Sequence, residues 1–151
     1  MSDADLLEGL RLARLADALD DAVDLKDWNA ARAFFADTVR ADFSSVSGQP
    51  AAEIPSDALI DAWRTNLTPA KTSLHLRTNH VPVIEGDTAV VRSHGYAWNH
   101  MEGNGDPLWE TWGFYEHRFR RTTDGWKIVG FTYQMTHERG NMWVKTTTPG
   151  A

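Results

Sequence analysis

Thr72-Ser73-Leu74-His75-Leu76-Arg77-Thr78-Asn79 opens the stretch that decides the fold. It belongs to a strand read from Lys71 to Val83, in which Pro82 implies a sheet edge or a bulge, because proline cannot donate to a ladder. Glu85-Gly86-Asp87 supplies a turn. Three more long strands follow: Thr88 to His100, Leu108 to Thr122 and Trp126 to His137. The loop Met101 to Pro107 and the turn Thr123-Asp124-Gly125 separate them. Strands of this length twist, so the sheet is expected to curl around whatever covers it.

The covering layer lies upstream. Ser2 with Asp5 forms a capping-box pattern, and Leu6, Leu7, Leu10, Leu15, Leu19, Ala22 and Val23 follow at helical spacing. The pattern breaks near Asp24-Leu25-Lys26-Asp27. Asp27 can cap a second short helix burying Trp28, Ala31, Phe34 and Phe35. Val39, Ala41 and Phe43 alternate as a strand, and Ser44 to Pro55 reads as a loop. Ser56 is placed to cap a third helix presenting Leu59, Ile60, Trp63 and Leu67, stopped by Pro69. The class is therefore α+β, three N-terminal helices on a curved, mainly antiparallel sheet. One domain is expected over residues 1–151, with a tail from Glu138 to Ala151 that either frays or folds over a pocket mouth.

Bulk properties exclude several function classes. With no cysteine, neither a disulfide scaffold nor a thiolate nucleophile is available. A net charge of −6 argues against nucleic acid as a partner. No apolar run approaches the roughly 20 residues of a membrane span. Met1-Ser2-Asp3-Ala4-Asp5 lacks the basic-then-apolar order of a secretory leader, so a cytoplasmic protein is expected. Seven tryptophans are many for this length, and large rings line apolar pockets and subunit interfaces as well as cores.

Two polar residues far apart in sequence carry the chemistry. Asp24 ends the first helix, and His75 lies on the strand that the helix would cross. A carboxylate that orients an imidazole and supports its protonated form makes a general base. The alternative is that Asp24 caps a helix junction and His75 is a satisfied core histidine. No Gly-x-Ser-x-Gly elbow accompanies the pair, and the histidines lack metal-ligand spacing, so no metal and no cofactor are expected. His94 and His100 alternate with Tyr96 and Trp98 along one strand face, opposite Ser93, Gly95, Ala97 and Asn99. The aromatic face reads as a subunit interface, or else as a pocket wall; the small face would leave room for a ligand. On the next strand Trp109, Thr111, Gly113, Tyr115, His117, Phe119 and Arg121 are expected to face inward, with Tyr115 a hydrogen-bond donor to a bound carbonyl.

The chain resembles the NTF2-like superfamily, in its SnoaL-like branch. The resemblance rests on Val23-Asp24-Leu25-Lys26-Asp27-Trp28, on Val39-Arg40-Ala41-Asp42-Phe43, on His75 with Asn79 before Gly86-Asp87-Thr88-Ala89, and on Tyr115 through Asp124-Gly125-Trp126-Lys127-Ile128. It implies a cone-shaped barrel. Asp24 and His75 match the orienting Asp and basic His of scytalone dehydratase and lindane dehydrochlorinase. Val23 and Phe43 stand where scytalone dehydratase has substrate-polarising tyrosines, and its second histidine falls near Asn99 or His100. The arginine of the dehydrochlorinase falls near Arg120 or Arg121. The resemblance thus implies a cofactor-independent lyase or isomerase for a small apolar cyclic molecule, in a pocket lined by Val23, Trp28, Phe43, Trp63, Asn99, Tyr115 and Arg121. Alternatives are a polyketide cyclase-like or hydrolytic enzyme, or a non-catalytic ligand-binding or dimerisation module. A homodimer or homotrimer is expected in every case, with a small-molecule substrate and no nucleic-acid or membrane partner.

Overall fold

Ser2 caps the first helix as expected. In the computed structural model, which describes residues 2–150, the Ser2 hydroxyl accepts from the Asp5 amide at 3.2 Å and the Ser2 amide donates to the Asp5 carboxylate at 3.0 Å. Helix α1 (Asp3–Asp24) buries Leu12, Ala16, Leu19 and Val23. Helix α2 (Trp28–Ala33) is capped by Asp27, whose carboxylate accepts from the Ala30 amide at 3.0 Å. Phe35 leaves that helix and opens β1 (Phe35–Asp42). Its ring is buried between Trp63 and Phe131, at 6.0 and 6.4 Å between centroids, and tertiary packing overrides the helical spacing.

The expected loop after Phe43 contains two small elements. Helix α3 (Ser44–Ser47) ends at Gly48, which takes the left-handed conformation, and β2 (Ala52–Pro55) pairs antiparallel with β1. Pro55 is tolerated because β2 is a sheet edge. Ser56 is not a cap: helix α4 (Ser56–Asn66) begins at it, and its hydroxyl is buried without a partner among the described residues.

Four long strands complete the sheet: β3 (Thr72–Glu85), β4 (Thr88–His100), β5 (Leu108–Thr122) and β6 (Gly125–Gly140). The last runs beyond His137 because the start of β5 needs a partner, and Trp109 opposes Gly140. The order is β2-β1-β6-β5-β4-β3, antiparallel except where β1 lies parallel to β6. Pro82 sits where expected, on the opposite edge strand, which also carries a bulge between Thr78 and Val81. Asn79 accommodates the bulge with φ 57°, a conformation asparagine tolerates better than branched residues. The bulge changes the alternation of β3. Ser73, His75 and Arg77 point toward the helices before it, and Pro82 and Ile84 after it.

The faces of β4 and β5 divide as their sequences imply. Ser93, Gly95 and Ala97 are buried, and His94 is exposed. Tyr96, Trp98 and His100 share the face of His94, away from the helices. Trp109, Thr111, Gly113, Tyr115, His117 and Phe119 are buried, but Arg121, expected with them, is exposed at the strand end and pairs with Glu8. The space beside Gly95 is not left for a ligand. A Cβ there would lie 2.1 Å from the Tyr115 ring, so the missing side chain admits that ring. Residues 138–140 continue β6, and helix α5 (Met142–Thr146) follows, with Val144 fully buried beside Met101 and Trp109. Ala151 lies outside the described residues. Among the described residues, no helix is long and apolar enough to cross a membrane.

Candidate active site

The end of α1 is set by local chain geometry. Lys26 adopts φ 58°, its amide donates to the Val23 carbonyl at 3.0 Å, and the Asp27 amide donates to the Ala22 carbonyl at 2.8 Å. This left-handed closure stops the helix just past Asp24. The Asp24 side chain meets the inner face of β3. Its Oδ1 lies 2.7 Å from His75 Nδ1 and accepts from the Ser73 hydroxyl at 2.7 Å. Its Oδ2 accepts from the His75 backbone amide at 2.7 Å. The non-catalytic alternative expects a pair that is solvent-separated or occupied by structural partners; here the two groups touch, and Asp24 also accepts from the Ser73 hydroxyl and the His75 amide.

Three acceptor contacts fix the carboxylate, and the balance of forces on it is plain. Burial alone would raise the Asp24 pKa. Hydrogen bonding and charge from His75, with the Ser73 hydroxyl and the His75 amide, outweigh burial and hold it below its ordinary 3.8. An ionised Asp24 accepts the Nδ1 proton, so the His75 lone pair lies on Nε2. That nitrogen makes no hydrogen bond among the described residues.

His75 lines a cavity of about 80 Å³ beneath α1. Leu19, Val23, Phe43, Trp63, Leu67 and Phe131 make its apolar walls. The Phe43 and Phe131 rings stack at 5.3 Å, and the Trp63 ring meets Phe131 edge-on at 5.6 Å. Of the residues expected in the pocket, Val23, Phe43, Trp63, His75 and Tyr115 line it together. Trp28 instead packs in the core alongside. Asn99 opposes Ser73 across the β3–β4 ladder, with its amide turned to the Trp98 carbonyl, and does not line the cavity. Arg121 does not reach it either. It bonds Glu8 at 3.0 Å and stacks over Trp126, and Glu8 lies about 24 Å from Asp24 along α1 at 1.5 Å per residue. A wider hollow of about 440 Å³, lined by Asn79, Arg92, His94 and Phe114 among others, lies elsewhere and carries no dyad.

Two further polar residues line the dyad cavity, Asp20 and Arg77. Arg77 donates through Nε and Nη2 to the two Asp20 oxygens, the second at 2.6 Å. The Arg77 side chain is only 1% exposed, and its guanidinium carbon lies 3.4 Å above the centre of the Tyr115 ring. A sequence signal for this pair exists. Asp20 precedes Asp24 by one helical turn and Arg77 follows His75 by two on the strand, so both pairs share the same facing surfaces. Tyr115 presents its ring to Arg77, and burial, the largest influence, pushes its hydroxyl pKa up. Burial, then the positive charge of Arg77, holds His117 well below its ordinary range, so it is neutral.

Known proteins place this geometry in context. The chain matches the SnoaL-like domain over residues 5–132. Among curated proteins, none matches the sequence. The Kfla4162 protein of Kribbella flavida has a similar structure, with TM-score 0.83, 26% identity, and 89% of this chain and 94% of that one covered. A candidate scytalone dehydratase from Novosphingobium aromaticivorans aligns with TM-score 0.79 at 18% identity, covering 93% and 92%. A type 2 hexachlorocyclohexane dehydrochlorinase, LinA, aligns with TM-score 0.76 at 16% identity, covering 99% and 100%. At such identities the last two speak for the fold alone. With the match spanning most of its length, the chain belongs to the SnoaL-like domain family, within the NTF2-like fold.

Proposed function

We propose that this protein is a cofactor-independent lyase or isomerase in which His75 removes a proton from carbon of a small, largely apolar cyclic molecule. The observation that carries the reading is the 2.7 Å contact between Asp24 and His75 Nδ1, with Nε2 left as the base beside an apolar cavity. Asp24 holds the tautomer and stabilises the imidazolium as the proton arrives. The hydrocarbon walls keep water from competing for the base and strengthen every charge interaction inside. The names of two structural relatives, a dehydratase and a dehydrochlorinase, agree with elimination chemistry.

The test is a panel of halogenated and hydroxylated cyclic compounds, with product analysis separating elimination from isomerisation. His75→Ala is expected to lose turnover while keeping its fold by circular dichroism. Asp24→Asn is expected to lower kcat by about 10²–10⁴-fold, since the wrong tautomer would face the substrate. Turnover of any panel member by His75→Ala at the wild-type rate would sink the assignment.

A further inference from the structure

Helix α1 carries a second apolar stripe that the fold does not use. Its packed side holds Gly9, Leu12, Ala16 and Leu19. Gly9 lets the helix rest on Pro82 of β3, where a Cβ would lie 2.9 Å from the proline ring. Leu6, Leu7 and Leu10 point away from that contact and are 50%, 57% and 56% exposed. Single exposed leucines are ordinary, but a contiguous patch of them marks a contact surface. A hollow of about 590 Å³ flanks this ridge on the β3 side, lined by Leu6, Leu10 and Pro82 among others. One of about 560 Å³ flanks it on the other side, between Leu7, Arg11 and Trp126. A ridge set between two grooves is the shape with which helices pack on one another.

The order of residues along the ridge names the partner. Asp3, Leu7, Leu10 and Arg14 are spaced four, three and four apart, and all four are exposed. That is the spacing of a seam between two paired helices. The seam is its own complement when reversed. If a second α1 runs antiparallel, Asp3 faces Arg14 and Leu7 faces Leu10, and both contacts recur on the other side of a two-fold axis. Charge selects this direction, because a parallel pair would set Asp3 against Asp3 and Arg14 against Arg14. Among the described residues Arg14 pairs only with Asp17 of its own helix, at 3.7 Å, and its side chain is 75% exposed.

We propose that this protein forms a two-fold dimer by antiparallel packing of α1 on the α1 of a second copy, with Leu7 and Leu10 at the centre and Asp3–Arg14 ion pairs at both ends. The dimer stands apart from the reading of His75 as base. The outer sheet face offers less to a partner, because its polar groups are already engaged within the chain. Tyr96 donates to Glu110 at 2.7 Å, Arg139 donates to the same carboxylate at 2.6 Å and lies over Trp112, and Arg92 donates to Glu116 at 2.9 Å. Among the described residues of β4, β5 and β6, Phe114 is the one large apolar side chain that stays largely exposed. Asp3, Asp5 and Glu8 around the leucine ridge speak against an anionic lipid surface as its cover. The overlap from Asp3 to Arg14 is about 17 Å long, which places the dimer among small, reversible interfaces.

Sedimentation velocity over a concentration series at low salt tests the dimer, with circular dichroism reporting the fold of each variant. The wild type should pass from monomer to dimer as concentration rises. Leu7→Gln/Leu10→Gln places a good helix former at two exposed positions and should raise the dissociation constant about 10-fold or more. Arg14→Asp sets like charges against each other at both ends and should weaken the dimer by about 10-fold. Adding Asp3→Arg to Arg14→Asp exchanges the two charges and should bring the constant back to the wild-type value. That rescue belongs to the antiparallel register, since Asp3→Arg alone removes a favourable charge from the start of the helix. A wild type that stays monomeric at every concentration, or that closes as a trimer, overturns the proposal. So does association that Leu7→Gln/Leu10→Gln leaves unchanged, which would put the contact on another face such as the outer sheet. Failure of the folded double charge variant to recover also overturns it; if that variant frays α1, the leucine variant decides. A monomer that co-sediments with phosphatidylcholine vesicles would give the ridge to a lipid surface instead.

Discussion

Asp24 concentrates the chemistry into one carboxylate, and its surroundings make it a term in stability as well. Its pKa is held below 3.8 in the folded protein, so the unfolded chain takes up the proton more readily. The stabilisation is therefore complete above the unfolded value and is lost as pH falls through the lowered folded one. Urea denaturation of the wild type should show stability dropping below about pH 4. In Asp24→Asn the part of that drop due to this group should vanish; identical acid profiles would contradict the ionised assignment. Asp24 and His75 could be singled out in sequence because Asp24 falls where the helical pattern of α1 breaks and His75 lies on the strand that the helix crosses. Arg77 was not legible in the same way, because an arginine on an edge strand normally reaches water. Only the placement of Asp20 one turn ahead of Asp24 turns it inward. Arg121 failed as a pocket residue for the opposite reason. Alignment by strand end put it near the site, whereas Glu8 and Trp126 hold it at the far end of α1.

At the level of elements, strand lengths and turns were readable because glycine and proline mark them. Three details were decided by packing or pairing instead. Phe35 joins β1, β2 forms inside a polar segment, and β3 changes alternation at Asn79. The contact between β4 and β5 shows how little slack remains. Gly95→Ala would place a Cβ 2.1 Å from the Tyr115 ring. Overpacking of this kind costs about 1–3 kcal/mol. Chemical denaturation should show that loss, and in a Tyr115→Leu background the added cost of Gly95→Ala should shrink. A cost unchanged by Tyr115→Leu would mean that the clash is relieved elsewhere.

For the whole molecule, the dyad end of the cone is closed by segments from across the chain. Lys26 donates to the Lys71 carbonyl at 3.1 Å. Lys71, fully buried, donates to Asn66 at 2.8 Å and to the Thr147 carbonyl at 2.6 Å. The tail is thereby tied to the α4–β3 junction, next to Leu67 of the cavity wall. Truncation after Gly140 would expose Met101 and Trp109 and remove Val144. Loss of one buried aliphatic side chain is worth about 1.5–3 kcal/mol, and each kcal/mol moves Tm by about 2–4 °C at this size. The truncated chain should melt about 3–12 °C lower by scanning calorimetry, and an unchanged Tm would show that the tail adds nothing. The parallel pairing of β1 with β6 bears on how the site comes into being. Ala41 must wait for Phe131, and the cavity wall of Phe43, Trp63 and Phe131 cannot close until both have arrived. During synthesis Asp24 and His75 emerge before Phe131, and the wall around them closes only when β6 docks. Such non-local docking is slow relative to hairpin formation. A nascent chain that has not yet reached β6 would therefore hold Asp24 and His75 in an open, wet trough.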